Sequence, residues 1–178
     1  MVAASILPVA CHKGKLYFLF GKENEMEDSA RGFSDFGGGV EKGESIMDTA
    51  LREGSEELCG FLGDSASIRA MLRKGVYPLS HKDYHIHMFG MEYDEKLPVY
   101  FTNHHKFLWA RMDKKMLNDS KYFEKQEIRW FSVEDMRRKK GLFRPFYREM
   151  VDRILGDIQG ISAFVKKKTS RRTLKKGG

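Results

Sequence analysis

Apolar positions run almost unbroken from Ala3 to Cys11 and then alternate from Lys15 to Gly21, with His12–Gly14 between them. That pattern predicts a first strand ending at Cys11, a tight turn and a second strand over Lys15–Gly21. Residues 22–35 are polar and acidic and read as a surface loop, and Phe36–Gly43 is a glycine-rich loop. Ser45, with Asp48 three residues on, forms a capping box that opens a helix running to about Leu58 and stopping among Gly60–Gly63. Asp64 caps a second, short helix to about Lys74. Val76–Leu79 and Tyr84–Met91 alternate and carry aromatic or branched residues, so they read as strands. Residues 98–118 read as a strand followed by a helix. Glu127–Phe131 is a strand, and Ser132 with Asp135 opens another capped helix. Phe146, Met150, Ile154 and Ile158 recur near helical spacing and predict a helix over Pro145–Ile158. Strands and helices intermingle, which gives an α/β (α+β) single domain.

Composition adds a boundary to this picture. The 178 residues are 41% hydrophobic and 32% charged, enough apolar material for one core and too much for a disordered chain. The net charge is +7, but seven basic residues and no acid follow Val165. Taking those seven from the 32 basic residues leaves 25 against 25 acidic ones, so residues 1–165 are formally neutral. We therefore expect a domain over residues 1–165 and a basic, disordered tail over 166–178. No apolar run approaches the ~18–20 residues of a membrane span, and no basic residue precedes the first apolar stretch as in a signal peptide. Cys11 and Cys59 form no pair motif, which fits a reducing interior. The expected location is the cytoplasm, with nuclear targeting as the other reading of the tail.

The chemistry concentrates between Gly38 and Gly60. Glu53, Glu56 and Glu57 lie at i, i+3 and i+4, on one helical face, where like charges repel and raise one another's pKa. Arg52 pairs with Glu56 across one turn but cannot neutralise three carboxylates, and Glu44 adds a fourth. For three glutamates alone the plainer reading is a solvated acidic face. A hard divalent cation is the other: all-oxygen ligands suit Mg²⁺ or Mn²⁺, not Zn²⁺. The glycines before the helix let backbone approach a polyphosphate. His81, His85 and His87 lack a third ligand at fitting spacing and carry no zinc reading.

The spacing Gly38-x5-Glu44-x7-Arg52-Glu53-x-x-Glu56-Glu57 resembles the box of the Nudix hydrolases, all six positions matching in identity and interval. Gly54 stands where that box has an aliphatic residue, and its last glycine arrives one position late, at Gly60. The variant REGSEEL is similar to the box of mRNA-decapping Nudix enzymes of large nucleocytoplasmic DNA viruses. The resemblance covers about residues 3–158 and implies an α/β/α sandwich with a mixed sheet. It also implies hydrolysis of a phosphoanhydride in a nucleoside diphosphate linked to another group. Carried over residue by residue, it gives Glu53, Glu56, Glu57 and Gly38 to one to three Mg²⁺ or Mn²⁺ ions. Arg52 orients the glutamates, Glu44 supports the loop, and Glu57 or Glu127 is the general base, with Glu124 just ahead of the latter.

Two basic clusters bear on the substrate: the tail and Arg137, Arg138, Lys139, Lys140, Arg144 and Arg148. Such clusters supply salt-sensitive phosphate contacts. Phe36, Tyr100, Phe101 and Trp109 are candidates to stack a base. Together these favour removal of the 5′ cap from mRNA, giving 7-methyl-GDP and 5′-monophosphate RNA. The alternatives are a diphosphoinositol or dinucleoside polyphosphate hydrolase and a non-catalytic RNA-binding module. No glutamate of the box is missing, which counts against the last.

Overall fold

A computed structural model describes residues 1–24, 31–120 and 123–176. Strands β1 (Ala3–His12) and β2 (Lys15–Glu23) form the expected hairpin. Lys13 and Gly14 both take positive φ, +49° and +76°, the twist a two-residue hairpin loop requires. Two short strands, β3 (Phe33–Ser34) and β4 (Phe36–Gly39), replace the end of the expected surface loop and the start of the glycine loop. Hairpin β5 (Tyr77–His81) and β6 (Tyr84–Gly90) and the late strand β7 (Lys125–Ser132) complete a seven-stranded sheet.

The sheet is mixed: β1 runs parallel to β6 and antiparallel to its other neighbours. Opposite β6, the edge of β1 is shared. Its first half pairs with β4 (Ala3↔Gly39 to Ile6↔Phe36), and its second half pairs with β2. The sheet therefore splays between β2 and β4, and β7 joins the far side of β2.

Alternation along β1 explains the layers. Ala4, Ile6 and Ala10 face helices α1 (Ile46–Glu57), α2 (Ser65–Arg73) and α3 (Leu97–Arg111). Leu7 and Val9 face α5 (Val133–Arg138), α6 (Arg148–Gly156) and α7 (Ile158–Lys176). The two buried clusters make the α/β/α sandwich. Helix α4 (Lys114–Asp119) follows α3 at its rim. Ser45 and Asp64 cap α1 and α2 as expected, and Ser132 with Asp135 forms a complete capping box.

One expectation needs correction. Residues 98–111 are helical from the start, because Pro98 sits in the first turn of α3, where a missing N–H costs nothing. Helix α7 continues to Lys176, into the stretch expected as a tail. Lys and Arg are good helix formers, and no proline interrupts the run. At Gly54 a Cβ would lie 2.4 Å from Cδ1 of Ile6, so its absence lets α1 sit down on β1.

Candidate active site

Glu53, Glu56 and Glu57 stand on α1 as the spacing required, but they divide between two surroundings. Glu53 and Glu56 gather at Arg52. Its Nη1 donates to Glu53 at 2.8 Å and to Glu56 at 3.4 Å, while Nε and Nη2 grip both oxygens of Glu44 at 2.7 and 3.0 Å. Thr49 also donates to Glu44, at 2.7 Å. The guanidinium, with Thr49 adding to it, holds the Glu44 carboxyl down to about 2. Glu44 and then Glu53 push Arg52 up against its partial burial, so it stays charged at every working pH. Arg52 thus orients the box glutamates while Glu44 anchors Arg52.

The glycines place the backbone against these carboxylates. A Cβ on Gly38 would lie 2.5 Å from Oε1 of Glu53, and one on Gly37 only 2.3 Å from Cβ of Ser5. Gly38 therefore serves from within strand β4, not from a loop. The donor set is carboxylate and backbone oxygen throughout, and the glycine cradle leaves Glu53 open to a ligand. These residues fit a hard divalent cation, with Glu53, Glu56 and the Gly38 backbone as its holders. Among the described residues no three of His, Cys, Asp or Glu are gathered as a metal cluster, neither in the box, where Arg52 stands among the carboxylates, nor at the histidines of β5 and β6.

Glu57 turns inward and is only 4% exposed. Its Oε2 accepts from the N–H of Gly37 at 2.8 Å, and its Oε1 lies 3.2 Å from Nζ of Lys125. Lys125 is fully buried and also pairs with Glu23 and donates to Ser34 at 3.1 Å. Arg144 closes the network on Glu23 at 2.6 Å. Burial pushes the Glu57 carboxyl well above the usual carboxylate range, and Lys125 opposes that. Burial alone would lower Lys125, but Glu57 and Glu23 more than offset it, so the ammonium is held charged. None of Glu23, Lys125 and Arg144 was singled out for this site from sequence. Lys125 carried no motif, and Arg144 read as part of a surface cluster.

The other candidates separate cleanly. Glu127 is held by Arg129 at 2.5 Å, while the charge of Glu124 bears directly on Glu57. Phe36 and Phe101 are fully buried core residues and cannot stack a base: Phe36 faces α1 and Phe101 packs on Phe61 at 5.3 Å. Tyr100 and Trp109 are exposed. The cluster at 137–148 is largely neutralised by acids from elsewhere in the chain or from its own helix. Arg138 pairs with Glu134, Lys139 with Asp135 and Lys140 with Asp152, while Arg148 donates to the carbonyls of Phe143 and Gly141.

One cleft was not foreseen. It encloses about 270 Å³ between the β5–β6 turn and α6, lined by Tyr84, Phe146, Tyr147 and Met150. Met1 also lines it and lies where a Cβ on Gly39 would point. Successive glycines of β4 thus face opposite ways: Gly38 toward the carboxylates, Gly39 toward the cleft. Behind the cleft, buried Asp35 accepts from Ser5 and Tyr84, both at 2.5 Å.

Helix α1 with its carboxylates, the glycine strand and the helix–sheet–helix packing define a hydrolase of phosphoanhydrides. The family model of the NUDIX domain matches residues 1–154, and the chain belongs to the Nudix family. The structure of a C. elegans Ap4A hydrolase in binary complex superposes with a TM-score of 0.53 at 16% identity, covering 90% of this chain and 98% of that one. A Nudix hydrolase from Listeria monocytogenes gives a TM-score of 0.48 at 15% identity, covering 91% and 97%. No curated protein matches the chain.

Proposed function

We propose that this hydrolase cleaves the phosphoanhydride bridge joining a nucleoside diphosphate to a second nucleoside-bearing group, as at the 5′ end of capped RNA. Water adds at phosphorus, and the bridge parts into two phosphate products, here 7-methyl-GDP and 5′-monophosphate RNA. The observation that carries the reading is the set of Glu53, Glu56 and Glu44 oriented by Arg52 against the glycine strand. A bound Mg²⁺ or Mn²⁺ ion would polarise phosphoryl oxygens and lower the pKa of attacking water. The chain's own part is to hold Glu53 and Glu56 in place, to bring backbone close at Gly38, and to keep Glu57 beside the site as a proton acceptor. The cleft beyond β4, walled by Phe146 and Tyr84, suits an aromatic base.

Exposed Tyr100 and Trp109 favour RNA over a small substrate, whereas the neutralised 137–148 cluster no longer argues for it. A dinucleoside polyphosphate is the second reading, supported by the likeness to the C. elegans Ap4A hydrolase structure. A diphosphoinositol substrate has no aromatic ring for the cleft.

The deciding assay offers cap-labelled RNA and diadenosine tetraphosphate separately, with Mg²⁺ or Mn²⁺. Release of 7-methyl-GDP, lost in Glu53→Gln, supports decapping. Turnover of the diadenosine compound alone moves the substrate to the second reading, and no turnover of either refutes both. Deleting residues 166–178 should weaken binding of long RNA and flatten its salt dependence while sparing the small substrate.

A further inference from the structure

Helix α3 is anchored at one end only. Leu97 and Phe101 are its buried residues, and from residue 102 onward none is fully covered. The helix nevertheless exposes large apolar rings along its length: Tyr100 is 57% exposed, Phe107 61% and Trp109 37%. Two stripes emerge. Tyr100, Phe107 and Arg111 follow at i, i+7 and i+11 on one side, and His105 with Trp109 lies on the other.

Cations accompany both stripes. Arg111 lies over the Phe107 ring at 5.8 Å, and Nζ of Lys114 over Trp109 at 3.6 Å. Residues 97–116 hold four cations (Lys106, Arg111, Lys114, Lys115) against one acid, Asp113, whose carboxylate is taken up capping α4. Among the described residues no carboxylate pairs with any of the four. The contrast with 137–148 is direct: there most of the basic side chains are answered by acids, here none is.

Buried residues behind this surface lead from it toward the catalytic centre. Phe123, His105 and Trp109 stand nearly parallel, with interplanar angles of 9° to 21° and His105 only 4.1 Å from Phe123. Asn24 ties this stack down, donating to the Phe123 carbonyl at 2.9 Å, and its own N–H donates to the carbonyl of Glu124. Glu124 is followed by Lys125, the partner of Glu57. Burial, then the charges of His104 and Lys114, push His105 down to about 4, so it stacks as a neutral ring.

We infer that α3 and the start of α4 form a binding surface for single-stranded RNA. Bases stack on Phe107 and displace the Lys114 ammonium from the face of Trp109, freeing it, with Lys106, Arg111 and Lys115, for phosphates. Exposed rings that tolerate any base, flanked by unanswered cations, are what sequence-independent single-strand binding needs. A helix of 15 residues spans ~22 Å, room for a few nucleotides beyond the cleaved bridge. The choice of RNA rests on the proposed substrate, but the surface is tested without turnover.

The probe is a ten-nucleotide 5′-monophosphate RNA added to the full chain in metal-free buffer. Binding should quench tryptophan emission, and Trp109→Phe should abolish the quench, because Trp130 is buried. Phe107→Ser combined with Arg111→Gln should weaken binding about ten-fold and lower the salt slope by about 0.7. The same variant should hydrolyse a small dinucleoside polyphosphate at the unaltered rate. Unchanged RNA affinity in the double variant overturns the proposal. So does binding that vanishes only on deleting residues 166–178, or a dimer that the double variant dissociates with RNA affinity intact. If no nucleotide is hydrolysed but the double variant still loses RNA, the proposed function fails and the surface stands.

Discussion

Two cations organise the glutamates of α1, and they work in opposite surroundings. Arg52 is 21% exposed and gathers Glu44, Glu53 and Glu56, all within eight residues of itself. Lys125 is fully buried and joins Glu57 to Glu23, residues brought from β2, α1 and β7. Ion pairs in reach of water contribute little stability, whereas a buried charge stripped of its partner is costly. The Arg52 side is therefore free to rearrange around a cation and substrate. The Lys125 side fixes the end of α1 to the splayed sheet and holds Glu57 ready.

The comparison breaks most visibly at Lys125. Lys125→Met leaves Glu23 and Glu57 buried with Arg144 as the remaining cation. We expect a loss of about 3–5 kcal/mol in unfolding free energy, read from urea denaturation at neutral pH. A loss below about 1 kcal/mol would mean that the buried network is not what anchors α1, and the distinction between the two hubs would collapse.

Asp35 sharpens the contrast, since it is a buried carboxylate held by hydroxyls with no cation in contact. Burial raises it from 3.8 to about 6, with Ser5 and Tyr84 opposing. A raised carboxyl pKa means the folded state keeps the proton longer than the unfolded chain does. The resulting stability is fully present below about pH 4 and is lost as pH rises through about 6. Over that window the native protein should lose up to ~3 kcal/mol relative to Asp35→Asn, measured as unfolding free energy against pH. Parallel pH curves for the two proteins would show that hydroxyls serve the ionised carboxylate as well as Lys125 does.

The same division decides what was legible in the sequence. Arg52, Glu44 and the glutamates of α1 interact along one turn or across one loop, so their spacing and its likeness to the Nudix box brought them together. The caps at Ser45, Asp64 and Ser132 were legible for the same reason. Lys125 and Glu23 meet only because β2 and β7 pair antiparallel across about a hundred residues, and no local pattern records that. Phe36 and Phe101 looked like stacking rings because an aromatic residue gives no hint of which face it will take. The 137–148 cluster looked like free charge because part of its neutralising acid lies elsewhere: Asp152 pairs with Lys140, and Glu23 with Arg144. Conversely, the cations of α3 and α4 were scattered among apolar residues and went unremarked.

Arg52→Gln tests the exposed hub. It removes the partner of three carboxylates, yet all of them keep access to water, so we expect less than about 1 kcal/mol of lost stability. Turnover is a different matter, because Glu53 and Glu56 lose the group that orients them. The rate constant kcat should fall at least about ten-fold with KM little changed, the mark of an interaction felt in the transition state. A large fall in Tm with kcat preserved would reverse the roles assigned to the two hubs.

The smallest effect is expected at Lys139, and its smallness is informative. Its Nζ pairs with Asp135 at 2.7 Å, four residues back on α5, and the lysine side chain is 52% exposed. Asp135 also accepts from the Ser132 hydroxyl and backbone, so the capping box survives without the lysine. Lys139→Ala should therefore cost no more than about 0.5 kcal/mol. It should also change RNA affinity less than about two-fold, because its charge is already answered within the fold. The double variant at Phe107 and Arg111 is expected to lose about ten-fold on the same RNA. If Lys139→Ala weakens RNA as much as that, formal charge rather than unanswered charge governs binding. The basic cluster on α5 would then regain the role that its sequence suggested.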